Sequence, residues 1–117
     1  MAYDTALADR IREYLAQFPT LEIEEKTMFG GLAFLVNGKM CVNVSGDNLM
    51  CRFDPDLQKE VAEKRGYEPM IMKGKDLPGY CYITPEGFKR KKDLHYFIQI
   101  CLEFNPLARA SRKKGKV

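Results

Sequence analysis

The side chains able to do covalent chemistry are few in this sequence and stand apart. Four cysteines, Cys41, Cys51, Cys81 and Cys101, fall in separate apolar segments, and His95 is the one histidine. Zinc sites draw on closely spaced Cys or His pairs, and no CxxC occurs here. The expectation is four buried, reduced thiols, with no metal ligand and no disulfide framework. His95 falls on the flank of a helical apolar stripe, with no partner placed for nucleophilic or acid–base work. Ser45 and Ser111 lie in a turn and near the C-terminus, outside any nucleophile elbow. Glu22, Glu24 and Glu25 read as a solvated charge run. Gly30-Gly31 lacks the spacing of a phosphate loop and leads into a strand, which suits a bulge or a close backbone approach. No catalytic residue and no cofactor is assigned, and a non-enzymatic protein is expected.

Two groups of cations invite an anion. Arg52 with Lys73 and Lys75 could contact a small anion or metabolite. Arg109, Arg112, Lys113, Lys114 and Lys116 crowd the last nine residues with no acid among them. Without those five, 14 basic residues (19 less 5) face 16 acidic ones, so the formal +3 charge belongs to the C-terminal segment. Such a segment can neutralise phosphates in a salt-sensitive, sequence-blind way.

With 117 residues, 45% hydrophobic and 30% charged, the chain reads as one ordinary globular domain. No apolar run approaches the ~20 residues of a membrane span, and Met1 to Arg10 has no secretory pattern. A cytoplasmic location and no membrane partner are expected. The division is a domain over 1–106 and a basic flexible tail over 107–117.

The elements follow from periodicity. Asp4 caps a helix running to about Phe18, with Leu7, Ile11, Leu15 and Phe18 as its stripe. An acidic link, Glu22 to Glu25, leads to a three-stranded meander. Asn37-Gly38 between apolar runs predicts a two-residue type I′ hairpin, pairing Val36 with Lys39, Leu35 with Met40 and Ala33 with Val42. A second turn at Gly46-Asp47 pairs Val44 with Leu49, Val42 with Cys51 and Met40 with Phe53. Strict alternation then puts Ala33, Leu35, Met40, Val42, Val44, Leu49, Cys51 and Phe53 on a core face. The opposite face holds Leu32, Phe34, Val36, Cys41, Asn43, Met50 and Arg52. It is too apolar for free solvation: either another layer of the protein covers it or it is an interaction surface. On such a surface Leu32, Phe34, Cys41, Met50 and Arg52 are expected to meet a protein partner or a second copy of the chain, with ligand binding as the remaining role.

Asp54-Pro55 starts a second helix, with Leu57, Val61 and Ala62 inward and Gly66 as its stop. Strands around 68–72 and 80–84 flank a loop, Lys73 to Gly79. A helical turn at Thr84-Pro85-Glu86 and a helix over 92–104, with Leu94, Phe97, Ile98 and Cys101 inward, complete the chain. The order α-β-β-β-α-β-β-α predicts a two-layer α+β domain with helices on one face of a five-stranded antiparallel sheet. The six methionines default to gap-filling, although Met50, Met70 and Met72 would suit a partner groove.

Met28-Phe29-Gly30-Gly31 with Asn37-Gly38, Arg52, Glu68-Pro69-Met70 and Gly79-Tyr80 leading to Thr84-Pro85-Glu86-Gly87 resembles the N-terminal domain of the TfoX/Sxy competence-regulator family. Leu102-Glu103-Phe104-Asn105-Pro106 also fits its short, stand-alone members. The resemblance spans about residues 3–106. It implies the same element order, similar to type III secretion chaperones and YjbR-like proteins. It also implies a bacterial, regulator-like role linked to competence or transcription through protein contacts. Longer members act with the cyclic-AMP receptor protein and carry a helical C-terminal domain, which this chain does not match. Weak nucleic-acid binding through the basic tail is the alternative role.

Overall fold

The computed structural model describes residues 3–28 and 30–108. In chain order these form α1 (Thr5–Leu15), β1 (Ile23–Met28), β2 (Gly31–Val36), β3 (Lys39–Ser45) and β4 (Asn48–Arg52). A 3-10 turn, Pro55–Leu57, runs into α2 (Gln58–Ala62). Then come β5 (Tyr67–Met72), β6 (Lys75–Ile83), α3 (Pro85–Phe88), α4 (Lys91–Phe104) and a closing 3-10 turn, Asn105–Leu107. All strands join one antiparallel sheet in the order β1-β2-β3-β4-β6-β5. Helices layer on one face, as the two-layer α+β class requires, and the sheet has six strands where five were expected. The added strand is β1. Glu24, Glu25, Lys26 and Thr27 are all exposed, so it lacks the apolar alternation that marks a strand; charged residues of this kind protect a sheet edge.

Asn37 (φ 52°) and Gly38 (φ 83°) form the expected hairpin loop, with Val36 opposite Lys39 and Leu35 opposite Met40. The register then shifts: Phe34 pairs with Val42 and Ala33 with Asn43, leaving Cys41 as the extra residue of a β-bulge. The expected pairing of Ala33 with Val42 is therefore wrong, and the consequence is large. One inserted residue puts the two sides of the bulge out of phase. Leu32, Phe34, Val36 and Cys41 belong to the core with Val42, Val44, Leu49, Cys51 and Phe53. Leu35 and Met40 turn instead to the other face, beside Asn43, Met50 and Arg52.

The Gly46-Asp47 turn keeps its predicted pairs, Val44 with Leu49 and Val42 with Cys51. Met40 does not meet Phe53, because β4 ends at Arg52 and the Phe53 N–H donates to Gly79 O at 2.8 Å. The loop expected from Lys73 to Gly79 is also a correction. Met72 pairs with Lys75 across a two-residue turn, and β6 runs on through Pro78. There β6 has passed the end of β4, which it pairs only from Tyr80 to Ile83, so Pro78 breaks no ladder on that side.

Asp4 Oδ1 caps α1, accepting from Ala6 N at 2.9 Å and Leu7 N at 3.2 Å. The helix stops at Leu15, short of the expected Phe18. Asp54 caps the next turn through Asp56 N at 2.9 Å; Val61 is buried, while Ala62, expected inward, is exposed. The core lies between the helices and the inner sheet face. Leu7, Ile11 and Leu15 of α1 and Leu94, Phe97, Ile98 and Cys101 of α4 close over Phe34, Val42, Leu49 and Ile83. Burying each such Leu, Ile or Phe contributes roughly 1.5–3 kcal/mol.

Candidate functional site

The outer sheet face is a trough of about 680 Å³ lined by residues from all six strands and from no helix. Its floor is Leu35, Met40, Asn43 and Met50; Lys26 and Met28 from one edge strand and Met70, Ile71 and Met72 from the other form its rims. Strands at opposite ends of the sheet line one depression because the sheet curls. Five of the six methionines in the sequence meet here, and Ile71 and Met72 are each 54% exposed. An unbranched thioether side chain repacks readily around differently shaped apolar groups.

Polar groups are sparse and placed near the centre. Asn43, opposite Met50 in the ladder, is only 2% exposed. Its Nδ2 donates to Met50 Sδ at 3.6 Å, and its Oδ1 accepts no hydrogen bond from the described residues. Leaving an acceptor unsatisfied in an apolar setting costs about 1–3 kcal/mol. Arg52 is one pleat further along the same face. Its guanidinium donates to Met40 O at 3.5 Å and lies 5.8 Å from the Tyr80 ring centroid. Tyr80 and Tyr82, two apart on β6, both reach the trough.

Of the residues assigned to an interaction face, Met50 and Arg52 line the trough. Leu32, Phe34 and Cys41 do not: the Cys41 bulge places them in the helix-covered core. The anion group also separates. Arg52 pairs with Tyr80, whereas Lys73 and Lys75 sit at the far hairpin tip, on the order of 15 Å along β6 at ordinary strand rise. Lys26, on a strand the sequence did not reveal, is the second cation in the trough. Arg109, Arg112, Lys113, Lys114 and Lys116 lie outside the described residues, as does Phe29. Gly31 explains the glycine pair: a Cβ there would collide with Val44 O across the sheet. Gly79 packs closely too, since its Cβ would meet Phe53 O at 2.9 Å.

The potential nucleophiles are held in the core. All four cysteines are free and buried. Burial pushes the Cys51 thiol well up, reinforced by Cys101 and Cys81; burial does the same to Cys41, with Cys101 adding and Arg52 opposing. His95 stacks against Tyr14, ring centroids 4.3 Å apart, and burial lowers its pKa, with Lys91 and Arg10 adding to the effect. Among the described residues, no group of three His, Cys, Asp or Glu side chains is arranged to hold a metal, and no helix is long and apolar enough to cross a membrane.

An antiparallel sheet with helices on one side and a methionine-lined trough on the other defines a two-layer α+β domain whose outer sheet face no described helix covers. The chain belongs to the TfoX N-terminal domain family, whose model matches residues 13–105. No curated protein and no solved structure matches it.

Proposed function

We propose that this protein is a non-enzymatic, regulator-like interaction module that docks a protein partner in the trough. The observation that carries the reading is the gathering of Met28, Met40, Met50, Met70 and Met72 around Arg52 and the unsatisfied Asn43 Oδ1. A stable core has no need of methionines gathered along an open trough, while an adaptable binding surface does. The fitting partner presents apolar side chains to the methionines, a carboxylate to Arg52 and an N–H or O–H to Asn43. Cytoplasmic regulation through such contacts fits the family; the inert thiols and the stacked His95 favour binding over catalysis.

The test is selection of random peptides on the full chain, followed by ¹³C-methyl spectra of the methionines. The reading expects peptides rich in apolar and acidic residues that shift those methyl signals and lose binding to Met50→Glu and Arg52→Glu. Peptides whose binding survives both substitutions, or that leave the methyl signals unmoved, would overturn it.

A further inference from the structure

We propose that a second surface, on the helix side of the sheet, binds the phosphodiester backbone of duplex nucleic acid. It is a cleft of about 770 Å³ between the end of α2 and the α3–α4 corner, whose walls carry Lys64 and Arg65 on one side and Lys89, Arg90 and Lys92 on the other. The two basic segments are distant in sequence and are brought together by glycine packing. A Cβ on Gly87 would collide with Arg65 O, and one on Gly66 would lie 2.8 Å from Gly87 Cα. Only bare backbones fit this closely. Arg10 fixes the corner from behind, donating to Phe88 O at 3.0 Å and Lys89 O at 3.3 Å.

The charge is concentrated and unspent. Outside the last nine residues the chain has 14 basic and 16 acidic residues, yet five of those cations line this one cleft against Glu86 and Asp93. All five are exposed, and none forms an ion pair within the described residues, where the two ion pairs both belong to Arg12. Lys64 stands 4.5 Å over the Tyr96 ring, which holds it at the cleft wall without neutralising it. Five like charges this close repel, and a polyanion relieves that repulsion while releasing its own counterions. The cleft opens at the start of α4, whose positive dipole end adds in the same sense.

The chemistry of the walls selects among polyanions. A membrane surface would call for exposed apolar groups beside the cations, but among the described residues the exposed large apolar ones are Ile71, Met72 and Leu107, none of them in the cleft. Single strands would call for stacking platforms. Phe97 is 2% exposed, and the Tyr96 hydroxyl is tied to Glu60 at 2.7 Å. What remains is backbone contact without base readout.

The test is fluorescence anisotropy of labelled mixed-sequence duplexes with the full chain, between about 50 and 200 mM salt. The expected result is salt-steep, sequence-independent binding. The triple substitution Lys89→Gln, Arg90→Gln, Lys92→Gln should weaken it at least roughly tenfold and flatten the log–log salt slope by about 2–3. Lys64→Gln with Arg65→Gln, from the opposite wall, should act in the same direction. Each variant's melting temperature verifies that it is folded. Met50→Glu should leave binding intact, which separates this proposal from the trough. Loss of binding only on Arg112→Gln, Lys113→Gln, Lys114→Gln would overturn it. So would absence of binding at the lowest salt, or equal competition by polyglutamate or anionic phospholipid vesicles.

Discussion

The guanidinium of Arg12 grips the carboxylate of Glu25 through two hydrogen bonds, Nε to Oε2 at 2.6 Å and Nη2 to Oε1 at 2.8 Å. It is the tie between α1 and the edge strand β1, and Asp9 steadies it with a further contact at 2.6 Å. The Arg12 hydrogen bond holds the Glu25 carboxyl below its ordinary value of 4.5, against the opposing effect of burial. The unfolded chain therefore takes up this proton first as pH falls. The pair's stabilisation is present above about pH 4.5 and is lost as pH drops through the folded value. Because both side chains are more than a third exposed, the contribution should be small, between about 0.2 and 1 kcal/mol. Denaturant melts of Glu25→Gln at neutral pH should give that loss, and the difference from the parent should vanish at pH 3.

His95 adds an earlier stage to acid destabilisation. Burial lowers its pKa from the ordinary 6.5, and repulsion from Lys91 and Arg10 adds to the effect. Above that value both folded and unfolded chains hold it neutral, and it contributes no pH dependence. Below it the unfolded chain protonates first, so folding stability declines as pH falls. Melting temperatures of the parent should begin to drop below about pH 6.5, and His95→Gln should flatten that stage while leaving the later carboxylate stage in place.

Gly30 and Gly31 should respond very differently to alanine. At Gly31 a methyl group would run into the Val44 carbonyl, a backbone atom fixed by the ladder, so Gly31→Ala should cost several times as much as Gly30→Ala. At Gly30 nothing lies within 4 Å and only the positive φ of 72° is strained, which costs roughly 1–2 kcal/mol. Urea denaturation of the two variants tests this; equal losses would contradict it.

Most elements were legible because short-range rules govern them. Asp4 and Asp54 mark helix starts, Asn37-Gly38 sets a loop, and the Leu94, Phe97, Ile98, Cys101 stripe marks α4. β1 was illegible because an edge strand with charged residues has no buried face to announce it. The inversion of the sheet faces came from Cys41, a bulge residue with no local signature: it is as apolar as its neighbours, and both alternations around it look regular. Met50 and Arg52 were assigned to the outer face from the β3–β4 turn alone, and they remain there because the bulge lies outside that pairing. The cleft cations were hidden by topology, since no sequence rule places Arg65 against Gly87.

The same inversion predicts opposite outcomes at Phe34 and Met72. Phe34 is fully buried beneath the helices, so Phe34→Ala should destabilise by about 3–5 kcal/mol and Phe34→Glu should prevent folding. Met72, more than half exposed on the trough rim, should tolerate alanine within about 0.5 kcal/mol. Thermal melts of these variants distinguish the bulged register from a regular one, in which Phe34 would face outward and be the harmless site.

The thiols give a direct measure of the core's integrity. Cys41, Cys51, Cys81 and Cys101 are all buried, and burial raises the Cys41 and Cys51 thiols above their ordinary value of 9.0, the neighbouring thiols of Cys101 and, for Cys51, Cys81 adding to it. A thiol must be both reachable and ionised to attack a disulfide reagent; in the folded chain all four are buried, and Cys41 and Cys51 are in addition held protonated. Native protein should therefore react only as fast as it opens, with all four thiols released together in guanidinium. Phe34→Ala should speed the native reaction roughly tenfold for each 1.4 kcal/mol of lost stability, as expected when opening is fast relative to labelling. Prompt labelling of Cys41 alone would place that residue on the outer face and return the sheet to a regular register.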